Sequence, residues 1–361
     1  MEDIQLNNFI VKSNIHDYEV CFISNVEECF IQELISGDFI IIDNKLISLF
    51  PKLFKKLLSD YDYIAINATE SQKSYQNVEP IINQLIKKGF KKNNRLIAIG
   101  GGITQDVTAF IASILYRGIE WCFFPTTLLA QGDSCIGSKT SINFGAFKNQ
   151  VGGFYPPNKI YVYTKFLEKL EMKDLKSGLG EMAHYFVVSG KKDFERYKKE
   201  YDMSLKDKKV LSGLIKRSLE IKKSYIEIDE YDINERQVFN YGHSFGHAIE
   251  SITNYLIPHG IAVSFGMDIA NFVSLKKGYI SKEIHNNSRE LFEKIWDGYE
   301  SIVKKLSVDE FILALSKDKK NKGDQLGLIL KRDYGKVFKD FTANDKLFKS
   351  WIEEYFKNEL N

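Results

Sequence analysis

The sequence predicts an α/β domain followed by an all-helical one. Three observations carry that expectation. Short β-branched runs bounded by turn residues alternate with segments of helical period in the first half, a glycine triplet directly follows one of those runs, and beyond Thr164 the strand signals give way to long helical spacings rich in lysine, glutamate and leucine. The runs at 38–43 (Asp-Phe-Ile-Ile-Ile-Asp), 62–67, 95–100, 121–124 and 159–163 are apolar on both faces, as strands buried in a parallel sheet must be. Helical segments such as 78–88 separate them, which implies a doubly wound, Rossmann-like sheet with ligands at the carboxyl ends of its strands. A packed junction near Pro156-Pro157 divides the chain into an α/β domain at 1–158 and a helical domain at 159–361. The closing segment, 340–361, places Leu347, Phe348, Trp351, Ile352 and Phe356 at near-helical spacing and reads as a final amphipathic helix.

Composition narrows the class of function. The chain has 361 residues, 44% of them apolar and 27% charged, enough for two domains with sizeable cores. A net charge of +2 gives no whole-molecule attraction to nucleic acid or membrane, so anion binding must come from local clusters. No apolar run reaches the roughly 18 residues of a membrane span, and the start Met-Glu-Asp-Ile-Gln lacks a signal peptide's basic and apolar regions; a cytoplasmic protein is expected. Cys21, Cys29, Cys122 and Cys135 have no metal-ligand spacing and read as free thiols.

Two groups of residues carry chemistry. Gly100-Gly101-Gly102 follows a strand and opens an apolar helix predicted over 107–116, a geometry that lets backbone approach a pyrophosphate at a helix amino terminus. The stretch from Pro125 to Asn143 then adds Thr126, Thr127, Asp133 and Lys139, with Lys148 and Asn149 close behind, and forms a polar pocket wall. The second group holds four of the six histidines, His184, His243, His247 and His259, together with Glu181. One carboxylate and two imidazoles, Glu181 with His243 and His259, leave a divalent ion with open positions, as catalytic zinc requires. His247 lies one turn beyond His243 on the same helix face.

These motifs, with Tyr116-Arg117-Gly118, Arg236-x-x-x-Asn240-x-Gly-His243-x-x-x-His247, His259-Gly260 and Asp318-Lys319-Lys320, resemble those of 3-dehydroquinate synthases and the wider sugar phosphate cyclases, whose fold is shared with iron-dependent alcohol and glycerol dehydrogenases. The match runs from about Asp38 to Gly335. The resemblance implies NAD in the first domain, zinc (with cobalt a possible substitute) in the second, and the substrate between them. It places the metal on Glu181, His243 and His259. It places NAD near Asp43, Glu70, Lys73, the turn Gly102, Ile103, Thr104, Gln105 and Asp106, then Thr126, Thr127, Lys139, Lys148, Phe166 and Lys169. Lys139, Asn149, His247, one of Lys319 and Lys320, and Arg117 from a second copy of a homodimer would hold the substrate phosphate. Lys222, Arg236 and Asn240 would hold its carboxylate end, and Asp133 a ring hydroxyl. The reaction implied converts 3-deoxy-arabino-heptulosonate 7-phosphate, a phosphorylated sugar acid, to 3-dehydroquinate. Transient oxidation by NAD, β-elimination of phosphate, re-reduction and aldol closure follow one another in it.

Five positions depart from the family's pattern. His184 stands where a lysine is usual, Ile261 replaces the glutamate of His-Gly-Glu, and Gln105, Ser138 and Phe147 replace glycines. Lys222, Arg236 and Asn240 favour a carboxylate-bearing substrate, whereas His184 favours a cyclase acting on another sugar phosphate such as sedoheptulose 7-phosphate. A metal-dependent polyol dehydrogenase and a decayed, non-catalytic binding protein are the remaining readings.

Overall fold

The computed structural model describes residues 7–145 and 147–360. The chain forms two compact units, the first comprising Met1–Leu170 with Lys222–Tyr231 and the second Glu171–Ile221 with Asp232–Asn361. The first unit therefore runs past the expected boundary at 158, because the strand at Lys159–Val162 is hydrogen-bonded into its sheet. It also recovers a short later segment that begins within the helix Lys208–Ile226.

The first unit contains β1 (Phe9–Val11), β2 (Tyr18–Phe22), β3 (Phe39–Asp43), β4 (Asp62–Ile66), β5 (Leu96–Gly100), β6 (Trp121–Pro125), β7 (Lys139–Phe144), β8 (Phe147–Phe154) and β9 (Lys159–Val162). Seven of them make one sheet in the order β1-β2-β9-β6-β5-β3-β4, parallel except for β1 at the edge. All five runs anticipated from sequence are strands of this sheet. Every residue of β5 and β6 is buried, which is why those runs carry no polar alternation. Ile40, Ile42, Ile97, Ile99 and Phe124 pack one face against Phe30, Leu46, Phe54 and Phe166. The helix expected over 107–116 begins earlier, as Gly102–Ile114, and ends where Tyr116 and Arg117 turn left-handed. The helix expected over 78–88 is Tyr75–Lys87. β7 and β8 form a separate antiparallel hairpin where only a polar wall was anticipated.

The second unit is built on the helices Met172–Ser189, His243–Ile252, His259–Lys276 and Lys282–Trp296. Its helical character was expected, but the disappearance of strands after Thr164 was not complete. β10 (Gln325–Asp333) and β11 (Lys336–Ala343) pair as a hairpin turned at Gly335, where φ is +76°. The final helix, Lys346–Glu354, consequently starts later than 340; Phe348, Ile352 and Phe356 are buried and Leu347 is exposed. Among the described residues no helix is long and apolar enough to cross a membrane.

The new hairpin carries a lysine inside the core. Lys331 of β10 is fully buried, donates to Ser288 Oγ at 2.9 Å and lies 4.3 Å from the centre of the Tyr334 ring. Burial pushes its pKa down to about 7 against the opposing pull of Asp268 and Asp333. The unfolded chain keeps this amine protonated up to its ordinary value of 10.5, so between about 7 and 10.5 the unfolded state binds the extra proton. Lys331 thus weakens the fold below pH 7, and the penalty fades as pH rises, by up to about 1.4 kcal/mol per pH unit. Lys331→Met is expected to raise the unfolding free energy at pH 7, with the gain shrinking towards pH 10; denaturant titrations of both proteins across that range read the difference, and a pH-independent gap would show that the buried amine does not titrate there.

Candidate active site

Three helices of the second unit bring Glu181, His243 and His259 together. Glu181 lies within Met172–Ser189, while His243 and His259 each open a helix. Close backbone approach makes the meeting possible: a Cβ on Gly180 would lie 2.2 Å from Gly260 O, and one on Gly260 would lie 1.8 Å from Ser177 O. Only glycine at both points lets the two helices touch next to Glu181 and His259. Glu181 Oε1 is then 3.2 Å from His243 Nε2, and Oε2 is 3.2 Å from His259 Nε2. One ligand atom from each of the three residues lies within 4.8 Å of the others.

The outer nitrogens of the two rings decide what this arrangement fits. His259 Nδ1 is 3.0 Å from the Glu250 carboxylate, and His243 Nδ1 is 3.4 Å from the Tyr241 carbonyl. Both partners are acceptors, so neutral rings carry their protons on Nδ1 and aim Nε2 lone pairs at a buried carboxylate. Three acceptors converging in a buried place need a cation, and the donor set suits a divalent ion such as zinc. Without one, a proton serves. Burial opposes charge on both Glu181 and His259, yet attraction to His243 and then His259 holds the glutamate well below its ordinary range, and attraction to Glu181, with Glu250 adding to it, holds His259 well above its own.

Around this triad the other candidates take different places. His184 is buried, its Nδ1 3.7 Å from Glu181 Oε1 and its ring packed on Tyr185, Phe239 and His243. It lies outside the group of ligand atoms. His247 also lies outside it and groups instead with Glu250, one turn further along the helix His243–Ile252, and with His259 at the start of the next helix. The ring is partly open to solvent; desolvation by surrounding protein, then repulsion from His243 and His259, lowers its pKa to about 3. Lys320 contributes to the same repulsion and pairs with Asp318 at 2.7 Å, whereas Lys319 is exposed. Arg236 is buried in the short helix Glu235–Asn240, and Asn240 at its end donates to Gln237 O. Ile261 is buried, and Glu250 supplies the carboxylate beside His259 that its replacement of glutamate had put in question. Glu250 was missed in the sequence, although its place seven residues after His243 sets it on the face shared with His247.

In the first unit, Asp43, the Gly100–Gly102 turn and Thr126–Thr127 lie at the carboxyl ends of β3, β5 and β6, whose residues pair in register. The helix Gly102–Ile114 starts there, and a Cβ on Gly101 would come within 2.9 Å of Thr127 Cγ2, so the turn leaves backbone accessible for a diphosphate. Asp43 Oδ1 caps Lys45 N at 3.0 Å. Glu70 Oε1 accepts from Asn143 at 2.7 Å. Lys73 is buried and joins Asp106 at 2.5 Å to Asn149 Oδ1 at 2.6 Å, linking two groups of residues assigned separately to cofactor and phosphate. Ile103 and Thr104 continue the helix start, Lys148 and Lys169 are exposed, and Gln105 is turned to Ser134. Phe166 does not fit its expected role: its ring is closed into the core against Phe50, Phe54 and Tyr163.

Lys222 and Asp133, both expected on the substrate, pair with each other. Lys222 Nζ donates to Asp133 Oδ1 at 2.8 Å and to its carbonyl at 2.7 Å. Lys139 is exposed at the start of β7, and Arg117 is exposed with φ +66°. A cavity of about 810 Å³ opens in this unit beside Asp38, Asp62 and Lys88, at the amino edge of the sheet, and none of the candidate residues lines it.

A family model described as 3-dehydroquinate synthase N-terminal matches residues 63–177, and one described as 3-dehydroquinate synthase C-terminal matches 178–321. A 3-dehydroquinate synthase of Streptococcus equi subsp. equi is 32% identical over 95% of this chain and 96% of its own. Among solved structures, a 2-deoxy-scyllo-inosose synthase complexed with carbaglucose-6-phosphate, NAD+ and Co2+ superposes with a TM-score of 0.82 at 23% identity, covering 96% of this chain and 99% of that one. A 2-epi-5-epi-valiolone synthase of Streptomyces hygroscopicus subsp. jinggangensis with NAD+ and Zn2+ gives 0.77 at 21%, covering 93% and 94%. With both family models matched in sequence order and a relative similar over nearly its whole length, the chain belongs to the 3-dehydroquinate synthase family.

Proposed function

We propose that this enzyme is a 3-dehydroquinate synthase, a phosphate-eliminating carbon-oxygen lyase that turns 3-deoxy-arabino-heptulosonate 7-phosphate into 3-dehydroquinate in the cytoplasm. The observation that carries the reading is the group of acceptors formed by buried Glu181 with half-buried His243 and His259, in a chain similar over nearly its whole length to a relative of that name. Glu181, His243 and His259 would hold zinc, or cobalt in its place, and the glycine turn with Asp43, Thr126 and Thr127 would hold NAD. When bound, the ion would supply Lewis acidity at the reacting hydroxyl and NAD a transient hydride acceptor.

The chain's own residues do the rest. Arg236, buried and permanently charged, suits the substrate carboxylate. Lys222 is held by Asp133, so the pair offers a cation for the carboxylate and an acceptor for a hydroxyl from one fixed point. Of the residues that the family's pattern gives to the phosphate, Lys139 and Asn149 belong to the first unit and His247 and Lys320 to the second. Arg117 would reach the phosphate of a second copy, making a homodimer the working form. A second reading rests on His184: a titratable ring of shorter reach stands in place of a lysine's fixed cation, which suits another sugar phosphate such as sedoheptulose 7-phosphate.

Incubation with zinc, catalytic NAD and 3-deoxy-arabino-heptulosonate 7-phosphate is expected to release phosphate and give 3-dehydroquinate by NMR. Turnover of sedoheptulose 7-phosphate alone would transfer the assignment to the second reading. His243→Ala and Glu181→Ala should each lose metal and activity together, and full zinc content with normal turnover in either would refute the ligand assignment. Glu250→Gln, which weakens the partner of His259 Nδ1, should lower zinc affinity about 10-fold to 100-fold in a competition titration with a chelator. Arg236→Ala should raise KM for the sugar acid steeply; an unchanged KM would mean that Arg236 holds no carboxylate.

A further inference from the structure

Two of the glycine replacements lie at either end of one short segment. Residues 133–139 carry Asp133 at the beginning and Lys139 at the end. At the beginning, Gln105 Nε2 donates to Ser134 O at 2.6 Å while Ser134 Oγ donates to Gln105 Oε1 at 2.7 Å, a two-point clip. At the end, Ser138 Oγ donates to Glu230 Oε1 at 3.3 Å. Gln105, Ser138 and Glu230 are all buried, so these bonds are made away from competing water.

Glu230 does more than meet one hydroxyl. It also accepts from Ser13 Oγ at 2.5 Å, from Asn14 N at 2.7 Å and from Asn14 Nδ2 at 3.0 Å. It follows Lys222 in the segment that returns to the first unit, and Lys222 grips Asp133. The bonds close a circuit: Gln105 to Ser134, Asp133 to Lys222, along the chain to Glu230, and back through Ser138 to Lys139. Ser138 holds φ at +62°, a strained value for a residue with a side chain, and the neighbouring Gly137 N donates to Tyr18 OH at 3.0 Å.

We propose that Gln105 and Ser138 are positioning residues that lock the 133–139 segment and thereby fix Lys139 relative to the Asp133–Lys222 pair before substrate arrives. A glycine at either position leaves backbone freedom there; these side chains replace it with hydrogen bonds. The consequence falls on binding, because a segment already ordered need not be ordered by the ligand. The kinetic part of this inference rests on the proposed function, and the structural part does not.

Hydrogen exchange of the free full-length protein, read by mass spectrometry on peptides spanning 131–140, tests it with Gln105→Ala, Ser138→Ala and Ser138→Gly. Each variant should exchange about threefold to tenfold faster in that segment, with β5 and β6 as protected as in the wild type. Ser138→Ala keeps the strained backbone and removes only the hydroxyl; Ser138→Gly removes both and should loosen the segment further. In turnover assays the Ser138 variants should raise KM for the sugar acid about threefold to tenfold while kcat stays within about twofold. Unchanged exchange in the segment overturns the lock, and so does a fall in kcat with KM unmoved. A wild type that turns over no sugar acid would refute the proposed function, and exchange alone would then decide the lock.

Discussion

A buried carboxylate facing two imidazole nitrogens is the constraint to which the second unit is fitted. Glu181 is buried, and His243 Nε2 and His259 Nε2 each lie 3.2 Å from one of its oxygens. Placing these atoms costs solvation, which only a cation among them can offset. The glycine contact between Met172–Ser189 and His259–Lys276, the opening of two helices at histidines, and the tie from Glu250 to His259 all serve that meeting.

The first unit solves a different problem, that of presenting backbone and cations at the ends of parallel strands. Its central strands are buried on both faces, so the loops at their ends are the places where polar groups can gather. There the charged side chains hold one another: Lys73 with Asp106 and Asn149, Lys222 with Asp133, Glu230 with three neighbouring donor residues. Such pairing keeps long side chains in place, and it lets one residue tie two others together, as Lys73 does with Asp106 and Asn149.

Much of this was legible in the sequence, for definite reasons. Strands buried on both faces leave continuous apolar runs, so β3, β5, β6 and β9 stood out; the run of β4 was as apolar, but at the sheet's edge it buries only Ile64 and Ile66. Glu181, His243 and His259 stood out because histidine is scarce in this chain and these fall in ordered motifs. The β10–β11 hairpin did not, since it sits among lysines in a helical neighbourhood, although Leu326-Gly-Leu-Ile-Leu330 and the turn at Gly335 were a usable signal. Partnerships were less legible than positions. Nothing in one-dimensional spacing could show that Gln105 faces Ser134, that Ser138 faces Glu230, or that Phe166 turns into the core, because each depends on segments brought together by the fold. Two apparent losses, the glycines at 105 and 138, proved to be added contacts once those partners were known.

If Glu181, His243 and His259 form one open metal site, cobalt titration of the metal-free protein should give a visible d–d absorption band that saturates at a single ion per chain, is lost in Glu181→Gln, and changes when the sugar acid is added, because a coordination position is free. A band that survives the loss of Glu181, or one that does not respond to any sugar phosphate, would contradict it.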